Sequence, residues 1–209
     1  MGWLAWLRRF PRKWSAAKRR KAAAAVFQER RYADAAPLFA ALLADTGAEI
    51  DRFNVMICDA LIGRPDEAMK AYAHFEADAK RLLKPRKPDH HDAPPFGLLT
   101  YYLGCALQSG GHSNRAEPLV ERLRDMLVGY QVTDSHFLYI RGAPFLEWTV
   151  KLANDVFAST NSDRSGWWND FAASLDADGR KLVNDMALRP NTDTCASPLD
   201  IFHMGRQGE

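Results

Sequence analysis

Residues 31–43 read RYADAAPLFAALL, residues 63–75 read GRPDEAMKAYAHF, and residues 111–123 read GHSNRAEPLVERL. Each passage opens on a turn, runs through a short polar lead and reaches an alanine four or five residues on: Ala36, Ala68 and Ala116. Large apolar residues then recur at helical spacing, with Phe39 and Leu43 in the first, Tyr72 and Phe75 in the second, and Leu119 and Leu123 in the third. That period marks a helix with one buried face. Small residues belong where two helices cross closely, and large ones fill the gaps between successive pairs. A single helix pair cannot bury its apolar face alone, so the pattern predicts several stacked pairs.

Working outward, helices are expected over about 16–29, 33–44, 50–61, 65–83, 96–108 and 114–128. Gly47 is a left-handed residue ending the second, Pro65 the first residue of the fourth, and Ser113 the cap of the sixth. Four prolines between residues 84 and 95 mark an inserted loop. After Gly129 the regularity fades. Residues 145–157 read as one more apolar helix, 165–175 and 178–188 as a shorter pair, and 190–209 as an aperiodic tail. No stretch alternates with period two, so no sheet is expected. The fold class is therefore all-α. Its divisions are a basic amphipathic head at 1–15, helical pairs over 16–128 with the insertion at 84–95, and a C-terminal helical region at 129–209.

The step from Ala36 to Ala68 is 32 residues, and that from Ala68 to Ala116 is 48, the excess falling in the proline-rich insertion. Leu103-Gly104, with Gly104 twelve residues before Ala116, completes the third unit. The span 16–128 thereby resembles tetratricopeptide-type helix pairs. Met56 departs from the motif where the second unit would have Gly or Ala, and the first-helix tryptophan is missing throughout. Some other right-handed or irregular helical array is the alternative. The resemblance implies a groove lined by the first helix of each pair. Here that lining would be Lys21, Phe53, Asn54, Ile57, Tyr101, Tyr102 and Gln108, with amides and charges to hold a peptide. The plainer alternative is that Phe53 and one of the tyrosines are core and that Lys21 is merely solvated.

Charge is unevenly spread. Eight Lys/Arg precede the first acid, Glu29, leaving 20 Lys/Arg against 26 Asp/Glu in the remainder. In the head, Trp3, Leu7, Phe10 and Trp14 share one helical face, with Arg8, Arg9, Arg12 and Lys13 on the other side. The face is expected to cap the end of the array. An anionic membrane is the next reading, through Trp3 and the four basic residues. Nucleic acid is the least favoured, since nothing there reads bases. The charges follow the apolar residues, which does not read as a secretory signal, and no apolar run approaches a membrane span. Three separated cysteines (Cys58, Cys105, Cys195) without a CxxC fit a reducing compartment, and a cytoplasmic location is expected.

Chemistry-bearing clusters are few. Asp89-His90-His91-Asp92 is the only dense set of metal-ligand types, and a metal-dependent hydrolase using His90 and His91 would need it. An Asp-His-His string also occurs in a phosphoesterase family whose strands and further aspartate motifs are not found here. A solvated, proline-flanked loop is the preferred reading. Cys58, Cys105, His74 and His112 carry no nucleophile signature, and Gly110-Gly111-His112-Ser113 lacks the spacing and lysine of a phosphate loop. No cofactor is expected. Of Trp167 and Trp168, adjacent and so about 100° apart on a helix, at least one is expected in the core. The expectation is a non-enzymatic module binding one partner protein, with a basic partner surface favoured by the acidic body. A bacterial immunity protein or a secretion chaperone would do such work. The alternative is a peripheral membrane adaptor anchored by residues 3–21.

Overall fold

A computed structural model of the chain describes residues 15–77, 93–160 and 164–187. Among the described residues there are ten helices and no strand. The head (Trp3, Arg8, Arg9, Arg12, Lys13), the Asp89–Asp92 cluster and the tail with Cys195 lie outside them.

Helices α1 (Ala16–Gln28) and α2 (Tyr32–Thr46) form the first pair, α3 (Glu49–Leu61) and α4 (Pro65–Ala77) the second, and α5 (Phe96–Ser109) and α6 (Ser113–Tyr130) the third. Both members of the first pair recur at a step of 33 residues, Ala16 to Glu49 and Tyr32 to Pro65. Short links between packed helices make each pair a hairpin, and α3 then packs against both α2 and α5. The arrangement is solenoid-like. Ala36, Ala68 and Ala116 are all buried, with Phe39, Tyr72, Phe75, Leu119 and Leu123 packed in the same core.

Local signals set the ends. The Ser15 side chain accepts the Lys18 N–H at 3.4 Å and opens α1. Gly47, at φ 67°, closes α2 and donates its N–H to the Leu43 carbonyl at 2.8 Å. Ser113 differs from expectation: His112 occupies the cap without a side-chain bond, and Ser113 is the first, buried residue of α6. The first two pairs are tied by one interior ion pair. Arg20 donates two hydrogen bonds to Asp51, both at 2.7 Å, and Thr46 adds its hydroxyl at 3.2 Å. The two guanidinium bonds raise the Arg20 pKa further, so the group stays charged despite its burial.

The C-terminal third is more regular than its composition suggests. Helix α7 (Ser135–Ile140) is a single short turn-and-a-half, α8 (Leu146–Thr160) packs on both α5 and α6, and α9 (Ser165–Ala173) and α10 (Ala177–Ala187) form the last hairpin, with α10 against α8. Gly104 makes the α5–α8 approach possible, because a Cβ there would stand 2.8 Å from Leu152 Cδ2. No described helix is long and apolar enough to cross a membrane.

Candidate interaction surface

The groove expected from the first helices is closed. Phe53, Asn54 and Ile57 on α3 and Tyr101 and Tyr102 on α5 are all buried, Asn54 to 2% exposure. Phe53 meets Tyr102 edge-on at 6.2 Å, and Tyr101 stacks on Trp148 of α8 at 5.7 Å. Burial pushes the Tyr102 hydroxyl up to about 12, as an interior phenol requires. This corrects the sequence reading. Nearly every residue of α5 from Phe96 to Leu107 is buried, so α5 is apolar on all sides and central, with α8 covering the side that would have faced a peptide. Of the seven expected residues only Lys21, exposed, and Gln108, half-buried, remain at the surface.

The reactive side chains do not gather. Cys58 and Cys105 are both buried, and burial pushes the Cys58 thiol up to about 12, the opposite of an activated thiolate. His74 Nε2 lies 3.4 Å from Glu49 on the surface. Among the described residues no three His, Cys, Asp or Glu side chains lie together as metal ligands would. Trp167 is buried, as expected of one of the tryptophan pair. It meets Phe157 edge-on at 5.0 Å, with the Arg124 guanidinium 5.3 Å over its ring.

What stands open is the corner between α6 and α8. Val132, Tyr139 and Ile140 are 39%, 67% and 58% exposed, and they are the exposed large hydrophobics among the described residues. All three fall within nine residues, while the other large hydrophobics among the described residues are buried or partly buried. The frame beneath them is fixed at several points. Gln131, at φ 56°, ends α6. The Asp134 carboxylate accepts the Phe137 N–H at 2.8 Å and caps α7. Leu138 is fully buried, and Phe137 lies edge-on to Tyr130 at 5.9 Å with the Arg141 guanidinium 5.2 Å over it.

Helix α7 closes in a Schellman arrangement: Gly142 N–H donates to the Tyr139 carbonyl and Ala143 N–H to the Leu138 carbonyl, each at 3.0 Å. Gly142 sits at φ 66° against Pro95, and its carbonyl accepts the Leu98 N–H at 3.1 Å, fastening the corner to the start of α5. On the other side Thr133 donates its N–H and hydroxyl to Asp176 at 2.9 and 2.6 Å, which holds that carboxyl below its usual range. Periodicity cannot find a six-residue helix. The caps could have: DSHFLYIRG, residues 134–142, carries an N-cap aspartate and a C′ glycine.

Comparison of the chain with protein-family models, with curated proteins and with solved structures found no match.

Proposed function

We propose that the chain is a non-enzymatic protein-binding helical array that presents the α6–α7 corner to a partner protein. The observation that carries this is the concentration of exposed Val132, Tyr139 and Ile140 on a frame held at both flanks. Apolar side chains left in water on a rigid support favour burial against a partner, and a fixed frame loses little entropy on docking. A tyrosine beside an aliphatic residue supplies the contact area that anchors interfaces. Kinship with tetratricopeptide pairs is consistent with the 33-residue recurrence of α1–α4. The acidic remainder of the chain favours a partner with a basic surface through steering. Neutralising or escorting one such partner, as an immunity protein or secretion chaperone does, is the role that fits this reading. The buried, unbridged thiol of Cys58 supports a reducing compartment.

The test is affinity capture from native lysate with wild-type chain and a Tyr139→Ser/Ile140→Ser variant, read by mass spectrometry. One stoichiometric protein captured by wild type and lost by the variant supports the corner. A partner retained equally by both, or none, overturns it.

A further inference from the structure

Helix α1 divides its four basic residues into two kinds. Arg19 and Arg20 are taken by carboxylates, Arg19 by Asp45 at 2.6 Å and Arg20 by Asp51 at 2.7 Å. Lys18 and Lys21 are exposed, and with exposed Ala17 and Ala25 they form one stripe along the helix, because residues three, four and seven apart share a face. That stripe carries no carboxylate. Glu29, the first acid of the chain, stands eleven residues beyond Lys18, which is roughly 16 Å along a helix and farther than exposed charges act in physiological salt. Glu29 is also held by Arg31, at 3.0 Å.

The residues leading into this stripe lie outside the described ones, and their sequence carries the same excess of positive charge. Between residues 3 and 14 stand Arg8, Arg9, Arg12 and Lys13 with no acid, interleaved with Trp3, Trp6, Phe10 and Trp14. Half of the chain's six tryptophans therefore fall in this one short stretch. The other three, Trp148, Trp167 and Trp168, are buried or half-buried. A merely solvated charge run gains nothing from three tryptophans, whose large rings favour apolar contact. A cap on the array would need an apolar seat, and the stripe on α1 offers two alanines and two lysines. A nucleic-acid duplex offers phosphates to the cations but keeps its bases stacked away from the rings. An anionic bilayer meets both halves of the pattern: its headgroups attract the cations, and the interfacial layer beneath them is where tryptophan settles. Charge and apolar insertion together are the two signals that firm peripheral attachment takes.

We propose that residues 3–21 are a contact surface for an anionic lipid bilayer, with Trp3, Trp6, Phe10 and Trp14 entering the interface and the head's basic residues, continued by Lys18 and Lys21 of α1, against the headgroups. The surface is at the first helix pair, separate from the α6–α7 corner, and does not depend on it.

The experiment floats the full-length chain with vesicles of phosphatidylcholine alone and of phosphatidylcholine with about one-third phosphatidylglycerol, over a range of salt concentrations. Binding to the phosphatidylglycerol vesicles only, weakening as salt rises, is the expected result. Lys18→Gln/Lys21→Gln is expected to weaken it roughly tenfold or more, since two cations near the surface are lost. Trp3→Ser/Trp6→Ser/Trp14→Ser keeps every charge and is expected to lose most of the binding. Lys18 and Lys21 are exposed, so the first variant keeps the wild-type unfolding curve, and circular dichroism checks the same for the second. No binding to the phosphatidylglycerol vesicles, equal binding to phosphatidylcholine alone, or indifference to either variant overturns the proposal. So does tighter binding to a DNA duplex or single strand than to the vesicles, which would mark the surface as one for nucleic acid. The Tyr139→Ser/Ile140→Ser variant is expected to bind vesicles as wild type does, which separates this surface's failure from the corner's.

Discussion

Replacing Gly142 by alanine tests the frame that holds the corner. Two costs add. A left-handed φ of 66° disfavours any side chain, by roughly 1–2 kcal/mol. The new Cβ would also lie 2.8 Å from Pro95 Cγ and closer still to Pro95 Cβ. A proline ring at the start of a helix cannot swing aside, so the loop or α5 must move, at an overpacking cost of roughly 1–3 kcal/mol. About 3 kcal/mol in all corresponds, for a chain of this size, to a fall in Tm of roughly 6–12 °C. Two other glycines supply the control. Gly47 and Gly111 have φ of 67° and 80°, but open space where a Cβ would go. Their alanine variants bear the conformational cost alone, and the stiffening of the unfolded chain is shared by all three and cancels. The assay is urea and thermal unfolding followed by circular dichroism at 222 nm. Hydrogen exchange at the Leu98 amide, which donates to the Gly142 carbonyl, reports the local break. If Gly142→Ala costs no more than Gly47→Ala and Gly111→Ala, and Leu98 stays protected, the corner is not fastened to α5 in the way described.

Three further results are expected. Asp51→Ala should destabilise by about 3 kcal/mol in urea unfolding, because it strands the largely buried Arg20 head; the lower end of the range applies since that head is still 17% exposed. Stability should fall as pH rises above the ordinary thiol range. Folded Cys58 keeps its proton up to about 12, while the unfolded thiol has released it, at a slope approaching 1.4 kcal/mol per pH unit. Cys58→Ala should flatten that slope in unfolding midpoints measured from pH 8 to 10. Gly104→Ala should cost about 1–2 kcal/mol by pressing on Leu152, and a double-mutant cycle with Leu152→Ala should show strong coupling, since the second change removes the atom the first one strikes.

How far the fold was legible depended on whether a residue's neighbours are near in sequence. Ala36, Ala68 and Ala116 are legible because each lies on the buried face of its own helix at a recurring place, and Gly47 and Pro65 mark ends set by their own backbone. In the sequence Tyr101 and Tyr102 read as groove lining because the third pair does not itself cover them. Their cover is Trp148 of α8 and Phe53 of α3, each more than forty residues away in sequence, and no periodicity within α5 reveals them. Met56, out of place in the repeat motif, is fully buried, so the array accommodates the larger side chain. The corner was missed for a different reason. Helix α7 is too short for a period, and its only signals were Asp134 and Gly142.

The closure of the groove and the opening of the corner follow from one packing decision. In a stack of helix pairs, the first helices can line a free surface only while nothing is laid across them. Here α8 is laid across α5, with Gly104 small enough to admit Leu152 and Trp148 broad enough to cover Tyr101. The chain must reach α8 from the far end of α6, and it does so through the turn at Gln131, the short α7 and the Gly142 contact with Pro95. That connection is fastened at both flanks, yet it cannot bury both faces of α7: Leu138 goes inward, and Tyr139 and Ile140 are left outward. Side chains exposed on a connection this constrained are held in place for contact at little entropic cost. The burial that removes the expected peptide groove therefore also builds the support for the surface proposed in its place.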